Sequence, residues 1–272
     1  LVFIVGCQRS GTTWLQLLLA EHPRVVTANE THLFNRVLGP MLRSWEDLEG
    51  DERDIGLPAL FSAEEFLALV RDVGTRVIDQ IRHGENGLVV EKTPDHALWG
   101  REILEVFPGA RIVHLVRDPR DVCASLLAAG ESWGSDWAPV SAYDAANRWN
   151  EYVEAARRIR SRTAAYRELR YEDLHVDAAG ELAALLDWIG LPYSDDLPDR
   201  AEEATRIDRL QEGEQRTAWD LSSEPDGFFR KGGTGSWEDD LTSSQVRLIE
   251  HVCREGMAAY GYRPTTVTGR LR

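Results

Sequence analysis

Short runs of branched apolar residues alternate along this chain with longer stretches in which apolar residues recur every three or four positions. The short runs are typical of buried strands, and the longer stretches are typical of amphipathic helices. The predicted strands are Leu1–Val5, Arg24–Thr27, Leu88–Val90, Arg111–Val116 and Leu169–Tyr171. The predicted helices include Ala63–Arg82, Ala142–Arg162, Leu182–Ile189, Ala201–Leu210 and Ser244–Ala259. This alternation predicts an α/β fold, with a central parallel sheet flanked by helices.

The 272 residues contain no repeat, no low-complexity tract and no linker that would divide them. We therefore expect a single domain over residues 1–272. The region of about residues 33–85 is predicted to be mainly helical, with Pro40 and Gly84 among its breakers, and to form an insertion beside a ligand pocket. The sequence begins within a predicted strand and without a methionine, so we leave open whether a segment precedes residue 1.

The first predicted strand runs into the sequence GCQRSGTT, from Gly6 to Thr13. A glycine turn between a buried strand and a helix aims backbone N–H groups and the positive end of the helix dipole at an anion. The sequence is similar to the phosphate loop G-x-x-x-x-G-K-[ST], but Thr12 stands where that loop has its lysine. The cation lies three positions earlier, at Arg9, and a planar guanidinium suits a flat face of oxygen atoms.

Charged residues also follow the next three predicted strands. Glu30 follows the second strand, Lys92 the third and Arg117 the fourth. Because ligands of open α/β sheets bind at the carboxyl ends of the strands, we expect these side chains to surround one ligand together with Arg9. Taken singly, a carboxylate after a strand is more often a helix cap. A second anion site is predicted at residues 230–233, where two cations precede glycines that permit close backbone approach.

Charge and cysteine content narrow the classes of function. A net charge of −15 opposes binding to nucleic acid or to an anionic membrane. It leaves room for a small anionic ligand, because diffuse surface charge is screened over about 8 Å at physiological salt. Three cysteines without paired spacing predict a reducing, cytoplasmic compartment and no zinc site. We find neither a signal peptide nor an apolar run long enough to span a membrane.

Four motifs together resemble those of sulfotransferases that use 3′-phosphoadenosine 5′-phosphosulfate (PAPS). The sequence RSGTTWL at 9–15 resembles their 5′-phosphosulfate loop, and RIVHLVRDPRDVCASLL at 111–127 resembles their 3′-phosphate motif. The sequence RKGGTGSW at 230–237 is similar to the RKGxxGxW segment of cytosolic members, and YEDL at 171–174 to a tyrosine segment near the cofactor. The resemblance implies a three-layer, P-loop-like sulfotransferase fold, PAPS as donor, 3′-phosphoadenosine 5′-phosphate (PAP) as product, and no metal.

The same resemblance assigns residues to the donor and to the reaction. It implies donor binding by Arg9, Ser10, Gly11, Thr12, Thr13, Trp14, Arg117, Ser125, Tyr171, Arg230, Lys231 and Gly232. Tyrosylprotein sulfotransferases have a glutamate base in an ET motif and a lysine in KDP, whereas cytosolic members have a histidine base in KTH. Here NET at 29–31 and KTP at 92–94 fit the first pattern. The catalytic residues implied are Glu30 as the preferred base, His96 as the alternative base, and Lys92 and Arg9 as cations.

The function implied is metal-independent, in-line transfer of a sulfuryl group to a hydroxyl of a small-molecule acceptor. His32 stands where tyrosylprotein sulfotransferases have an arginine, which argues against an acidic peptide acceptor. The acceptor pocket is expected between the helical region and the loops Trp133–Trp137 and Trp219–Phe229. Two alternatives stay open: a magnesium-dependent small-molecule kinase and a catalytically silent nucleotide-binding module. Monomer and homodimer both remain possible, because residues 238–247 resemble a known dimerisation pattern with its charges reversed.

Overall fold

The computed structural model describes residues 1–49, 56–84, 86–211, 225 and 228–265. Within these residues one five-stranded sheet forms the centre, and every neighbouring pair of strands is parallel. The strands are β1 (Val2–Val5), β2 (Val25–Thr27), β3 (Leu88–Lys92), β4 (Arg111–Val116) and β5 (Tyr166–Arg170), in the spatial order β2-β3-β1-β4-β5. The predicted α/β fold with a parallel sheet is confirmed.

Helices precede, connect and follow the strands. They are α1 (Thr12–Ala20), α2 (Gly39–Glu49), α3 (Ala63–Arg82), α4 (Gly100–Val106), α5 (Pro119–Gly130), α6 (Ala142–Arg160), α7 (Tyr171–Val176), α8 (Ala178–Ile189), α9 (Leu197–Ala204), α10 (Ile207–Gln211), α11 (Trp237–Asp240), α12 (Ser243–Val252) and α13 (Arg254–Ala259). A π-helical turn (Leu33–Leu38) precedes α2, and short 3₁₀ helices span Leu57–Ala59 and Pro94–Trp99. In the described ranges, none of the helices is both long and apolar enough to cross a membrane.

The central strand β1 separates two apolar cores. Its four residues are fully buried, and successive side chains of a strand point to opposite faces of the sheet. Phe3 and Val5 pack with residues of α3, α4 and α6, whereas Val2 and Ile4 pack with residues of α1, α8 and α9. The sheet is therefore covered by helices on both faces, as the predicted three-layer arrangement requires.

The structure moves several predicted boundaries. Strand β3 extends through Lys92, and β5 ends at Arg170, so that Tyr171 opens a helix instead of closing a strand. Strand β5 lies at the edge of the sheet and is mostly half-buried, which explains its weak apolar pattern. Two predicted helices are each divided in two: Ala201–Leu210 breaks after Ala204 and Ser244–Ala259 breaks at Cys253.

Candidate active site

A cleft of about 1150 Å³ lies at the carboxyl-terminal edge of the sheet. It collects the ends of the strands that precede the predicted site residues. The predicted residues that line it are Arg9, Gly11, Thr12, Thr13, Trp14, Glu30, Arg117, Ser125, Tyr171, Arg230, Lys231 and Gly232. The other three predicted residues, Ser10, Lys92 and His96, are at most 1% exposed and are buried around it rather than lining it.

The loop between β1 and α1 has a backbone that requires glycine at Gly11. This residue has a φ of 94° and caps the start of α1, where Thr12 and Thr13 are buried. A Cβ atom at Gly11 would lie 2.6 Å from ring carbons of Tyr171. The absence of a side chain therefore lets the loop approach Tyr171 and keeps the N–H groups of the first turn of α1 at the cleft.

Glu30 and Lys92 form an ion pair at the cleft. The Nζ of Lys92 lies 2.5 Å from Oε1 of Glu30. The Lys92 side chain is completely buried, whereas the Glu30 side chain is 34% exposed. A buried ammonium is costly without a paired carboxylate, so Glu30 supplies the charge that Lys92 needs. His32 lies beside the pair, with its Nε2 3.9 Å from Oε2 of Glu30.

His96 is buried in the core and does not line the cleft. Its Nδ1 lies 2.7 Å from Oε2 of Glu91, and the N–H of Phe34 donates to its Nε2 at 3.1 Å. Both ring nitrogens thus have protein partners, and the ring is fully buried. The structure brings Glu30 to the cleft and does not bring His96 there.

Arg9, Arg117 and Ser125 meet in a second part of the cleft. The Nε of Arg9 donates to Ser125 Oγ at 3.0 Å, and Nη2 of Arg9 donates to the carbonyl of Phe228 at 2.6 Å. Arg117 donates to the carbonyl of Arg9 at 3.2 Å and to that of Gly233 at 2.8 Å. The two predicted anion sites, one after β1 and one at 230–233, are therefore joined through two arginines.

Tyr171, the first residue of α7, contacts the same two sites. Its hydroxyl donates to the carbonyl of Gly232 at 2.6 Å, and the Arg117 guanidinium lies 4.2 Å from the centre of its ring. Trp14 packs edge-on against this ring at 5.5 Å and donates from its indole N–H to Thr205 Oγ1 at 3.2 Å. The segment that follows α9 is thereby held beside the glycine loop.

Asp121 holds the glycine-rich segment, residues 230–237, in place, a role that the sequence did not reveal. The carboxylate is buried and accepts hydrogen bonds from the N–H of Gly235, the hydroxyl of Ser236 and the N–H of Trp237, at 2.8 to 3.1 Å. It ties the glycine-rich segment to the first turn of α5. The only sequence signal was the second aspartate of RDPRD.

The two cations of the glycine-rich segment share one carboxylate. Arg230 Nη2 lies 2.8 Å from Asp240 Oδ2, and Lys231 Nζ lies 2.9 Å from Asp240 Oδ1. Partial burial alone would raise the pKa of Asp240, but the hydrogen bonds from Lys231 and Arg230 outweigh it and lower that pKa. Any anion that binds these cations must compete with Asp240.

A polar network, here called the polar floor, lines the cleft through Gln8, Asp95 and Tyr152. The sequence did not predict this network. Gln8 and Tyr152 both donate to Oδ1 of Asp95, and the Tyr152 hydroxyl does so at 2.5 Å. Asn35 donates to Oδ2 of Asp95 at 2.9 Å. Burial, followed by the charge of Asp95, raises the pKa of Tyr152, so its hydroxyl stays protonated as a donor. No sequence motif singled out Asp95 as a residue of the site.

The predicted walls of the pocket are found in part. Of the described residues in the helical region of about 33–85, Arg36 lines the cleft. Trp133 and Trp137 line it as predicted, and so do Phe228 and Phe229. Most of the predicted wall Trp219–Phe229 lies outside the described residues.

A sequence model of the Sulfotransferase family matches residues 2–195. The chain belongs to the sulfotransferase family. The resemblance drawn from the four motifs is thereby confirmed. In the part of this chain that the structure describes, no three or more histidine, cysteine, aspartate or glutamate residues are grouped so as to hold a metal ion.

Two curated relatives of this chain are sulfotransferases named for different acceptors. It is 29% identical over 205 residues to protein-tyrosine sulfotransferase 1 of Danio rerio, a match that covers 72% of this chain and 54% of that protein. It is 32% identical over 128 residues to the omega-hydroxy-beta-dihydromenaquinone-9 sulfotransferase Stf3 of Mycobacterium bovis, a match that covers 43% of this chain and 32% of that protein. The chain spans about half or less of the length of these curated relatives.

Solved structures show the same fold. Mouse sulfotransferase SULT7A1, crystallised with PAP, matches with a TM-score of 0.62 and 14% identity over 94% of this chain and 84% of that chain. A sulfotransferase domain from the curacin biosynthetic pathway matches with a TM-score of 0.57 and 20% identity over 96% and 97%. The predicted sulfotransferase-type fold is confirmed by these similarities.

Proposed function

We propose that this chain transfers a sulfuryl group from PAPS to a hydroxyl of a small-molecule acceptor, with Glu30 as the general base. The observation on which the proposal rests is the ion pair of Glu30 and Lys92, 2.5 Å apart, beside the glycine loop of a single cleft. A carboxylate that is one-third exposed can reach an acceptor, and the buried ammonium next to it can balance negative charge.

The residues present fit a doubly phosphorylated adenosine. Ser10 Oγ and Arg117 Nε are buried and have no hydrogen-bond partner among the described residues. Because buried polar groups are nearly always hydrogen-bonded, the unsatisfied Nε of Arg117, a residue that lines the cleft, supports an anionic ligand there. The cleft volume of about 1150 Å³ is ample for a nucleotide together with an acceptor. The PAP complex of the mouse relative supports the same donor here.

In the proposed mechanism PAPS, when bound, supplies the sulfuryl group and a phosphate that can leave with the bond electrons. Glu30 accepts the proton of the acceptor hydroxyl, a contribution of about 10²- to 10⁴-fold to the rate. The first turn of α1, with Thr12 and Thr13, holds the anionic end of the donor, and Lys92 balances its charge. Arg117 and Ser125 fix the second phosphate and so the position of the donor.

We group Arg9 with Arg117 and Ser125, the residues proposed to hold the second phosphate. Its guanidinium donates to Ser125 and to the carbonyl of Phe228, and it lies 5.0 Å from the centre of the Phe228 ring. A guanidinium held in this way joins the loop after β1 to the glycine-rich segment. We therefore propose that Arg9 orients the donor in addition to neutralising its charge.

Glu30 is a better candidate for the base than His96. A general base must come within hydrogen-bond reach of the proton it removes. Glu30 lines the cleft, whereas His96 is fully buried and uses both ring nitrogens in contacts with Glu91 and Phe34. His96 would have to break two hydrogen bonds and leave the core before it could accept a proton.

The polar floor of the cleft favours an acceptor with polar groups around its reactive hydroxyl. A purely apolar acceptor would remove the Asp95 carboxylate from water without a new partner, which is costly. A tyrosine side chain of a protein is a second candidate acceptor, because the relative from Danio rerio is a protein-tyrosine sulfotransferase.

The test is transfer of radiolabelled sulfate from PAPS to a panel of phenols, aliphatic alcohols and a tyrosine peptide, with and without a chelator of divalent ions. We expect labelled product from at least one small molecule at an unchanged rate when the chelator is present. Calorimetry provides a check that needs no acceptor. Magnesium-dependent binding of ATP without detectable binding of PAP would refute the proposal in favour of a kinase.

A further inference from the structure

Glu91 is a buried carboxylate next to Lys92 that the proposed mechanism does not use. Its side chain extends from β3 into the protein and is 1% exposed. Oε1 accepts from the hydroxyls of Thr31 and Thr93, both at 2.7 Å, and Oε2 is 2.7 Å from Nδ1 of His96. One carboxylate thus gathers side chains from the segments that follow two neighbouring strands.

The same three side chains hold three consecutive backbone N–H groups just after Glu30. These groups belong to the end of the loop and the start of the π-helical turn, where no helical partner exists for them. The hydrogen bonds are His32 N–H to Thr93 Oγ1 at 3.4 Å, Leu33 N–H to Thr31 Oγ1 at 3.2 Å and Phe34 N–H to His96 Nε2 at 3.1 Å. Each acceptor in turn contacts Glu91.

The hydrogen bonds determine which groups of this cluster carry a proton. Since Phe34 donates to Nε2 of His96, the ring proton lies on Nδ1 and points to Glu91. Burial works against ionisation of Glu91, but the interaction with His96 and the hydrogen bonds from Thr31 and Thr93 outweigh it and lower its pKa. Glu91 is therefore an ionised acceptor with three donors.

We infer that Glu91 is a positioning residue, which holds the Glu30 segment against the end of β3 and so fixes the contact between Glu30 and Lys92. The inference rests on the proposed role of Glu30 as base. Glu30 directly precedes the tethered residues 31–34, and Lys92 directly follows Glu91. A displacement of one ångström at a reacting group can cost about 100-fold in rate.

Paired substitutions of one threonine separate the hydroxyl from the packing. Thr93→Val keeps the size of this fully buried side chain but removes the link between His32 and Glu91, whereas Thr93→Ser keeps the hydroxyl. We expect Thr93→Val to lower kcat about 10- to 100-fold with unchanged affinity for PAP. Thr93→Ser should retain most of the wild-type kcat. Glu91→Gln should resemble Thr93→Val, because an amide cannot accept from all three donors.

Thr163→Val is the matched control. The Thr163 hydroxyl accepts from the N–H of Ala165 at 3.1 Å, just before β5 and hence at the opposite edge of the sheet from the cleft. The Thr163→Val variant should therefore have an unchanged kcat. If Thr93→Val and Glu91→Gln retain wild-type kcat, or if the Val and Ser variants lose kcat, PAP affinity and melting temperature together, Glu91 does not act through position.

Hydrogen exchange tests the inference without any turnover. We expect the amides of residues 32–34 to exchange faster in Glu91→Gln and Thr93→Val than in the wild type, and to stay protected in Thr163→Val. If the wild type transfers no sulfate, the proposed function fails, and hydrogen exchange alone then tests whether Glu91 positions residues 32–34. Unchanged exchange at residues 32–34 would then overturn the positioning role as well.

Discussion

Glu30 has two electrostatic tasks in the proposed reaction. In the structure it neutralises the completely buried Lys92, and in the reaction it accepts a proton from the acceptor hydroxyl. These tasks are compatible because the carboxylate has two oxygens and is one-third exposed. Oε1 contacts Lys92, while Oε2 lies on the side of His32. The position of Glu30 after β2 was predictable from sequence, but its ion pair with the completely buried Lys92 was not.

Glu30→Gln should abolish turnover and spare donor binding. The amide keeps the size of the side chain and an oxygen for Lys92, but it cannot accept the proton, so we expect kcat to fall by at least about 100-fold. Isothermal calorimetry should find PAP affinity nearly unchanged. Glu202→Gln, which changes a second carboxylate of the same cleft to an amide, is the control and should keep its activity. Near-wild-type kcat in Glu30→Gln would exclude Glu30 as the base.

Asp240→Asn should tighten the binding of PAP. The carboxylate pairs with Arg230 and Lys231, two residues that the family resemblance predicts to bind the donor, and we expect a phosphate bound there to displace it. Exposed ion pairs contribute little, so we expect an increase in affinity of about two- to fivefold by calorimetry. The neighbouring exposed Asp239→Asn controls for the change in net charge. Weaker binding in Asp240→Asn would mean that this carboxylate helps to hold the segment in its binding conformation.

The elements that present the site differ in how clearly the sequence predicts them. The strand, glycine loop and helix at the start of the chain are encoded locally, by apolar residues, a glycine turn and a helix start in direct succession. The glycine-rich segment is placed by a tertiary contact with Asp121, far away in sequence, and no local pattern reveals that contact. The edge strand β5 pairs in register from Tyr166 to Arg170 although its sequence is largely polar.

Gly11→Ala should remove PAP binding through the shape of the loop. Alanine is strained at a φ of 94°, and its Cβ would also overlap the ring of Tyr171. Gly190→Ala separates the two effects, because Gly190 has a φ of 78° and open space where an alanine Cβ would lie. We expect both variants to lower the melting temperature and Gly11→Ala alone to lose PAP affinity. Equal PAP affinity in the two variants would show that contact with Tyr171 is unimportant.

At the scale of the whole molecule, the fold was predictable because the interior strands of the sheet are dominated by buried, branched apolar residues. The gathering of charged side chains at the cleft was predictable where they come after those strands, as at Glu30, Lys92 and Arg117. The cluster around Glu91 and the network around Asp95 were not, because their members are brought together by packing between segments up to 144 residues apart. That the chain forms one domain stays a prediction.

The buried carboxylates also predict how the stability of the whole chain depends on pH. Burial alone would raise the pKa of Glu168, but hydrogen bonds from His114 and Tyr260 outweigh this effect, so that the pKa is lowered. His96 and two threonines lower the pKa of Glu91 in the same way. A carboxyl group whose pKa is lower in the folded state stabilises the fold above its unfolded pKa, near 4.5. That contribution is lost as the pH falls from there through the folded pKa.

We therefore expect the free energy of unfolding to be nearly level between about pH 5 and 8 and to fall steeply below that range. Glu91→Gln should be less stable than the wild type at neutral pH, because the amide leaves one donor of its cluster unpaired, and its stability should fall less steeply in acid. Thermal unfolding followed by circular dichroism at several pH values measures both effects. Glu131→Gln, at an exposed position, controls for the loss of one negative charge. The same acid slope in Glu91→Gln and the wild type would show that Glu91 is not ionised in the folded protein.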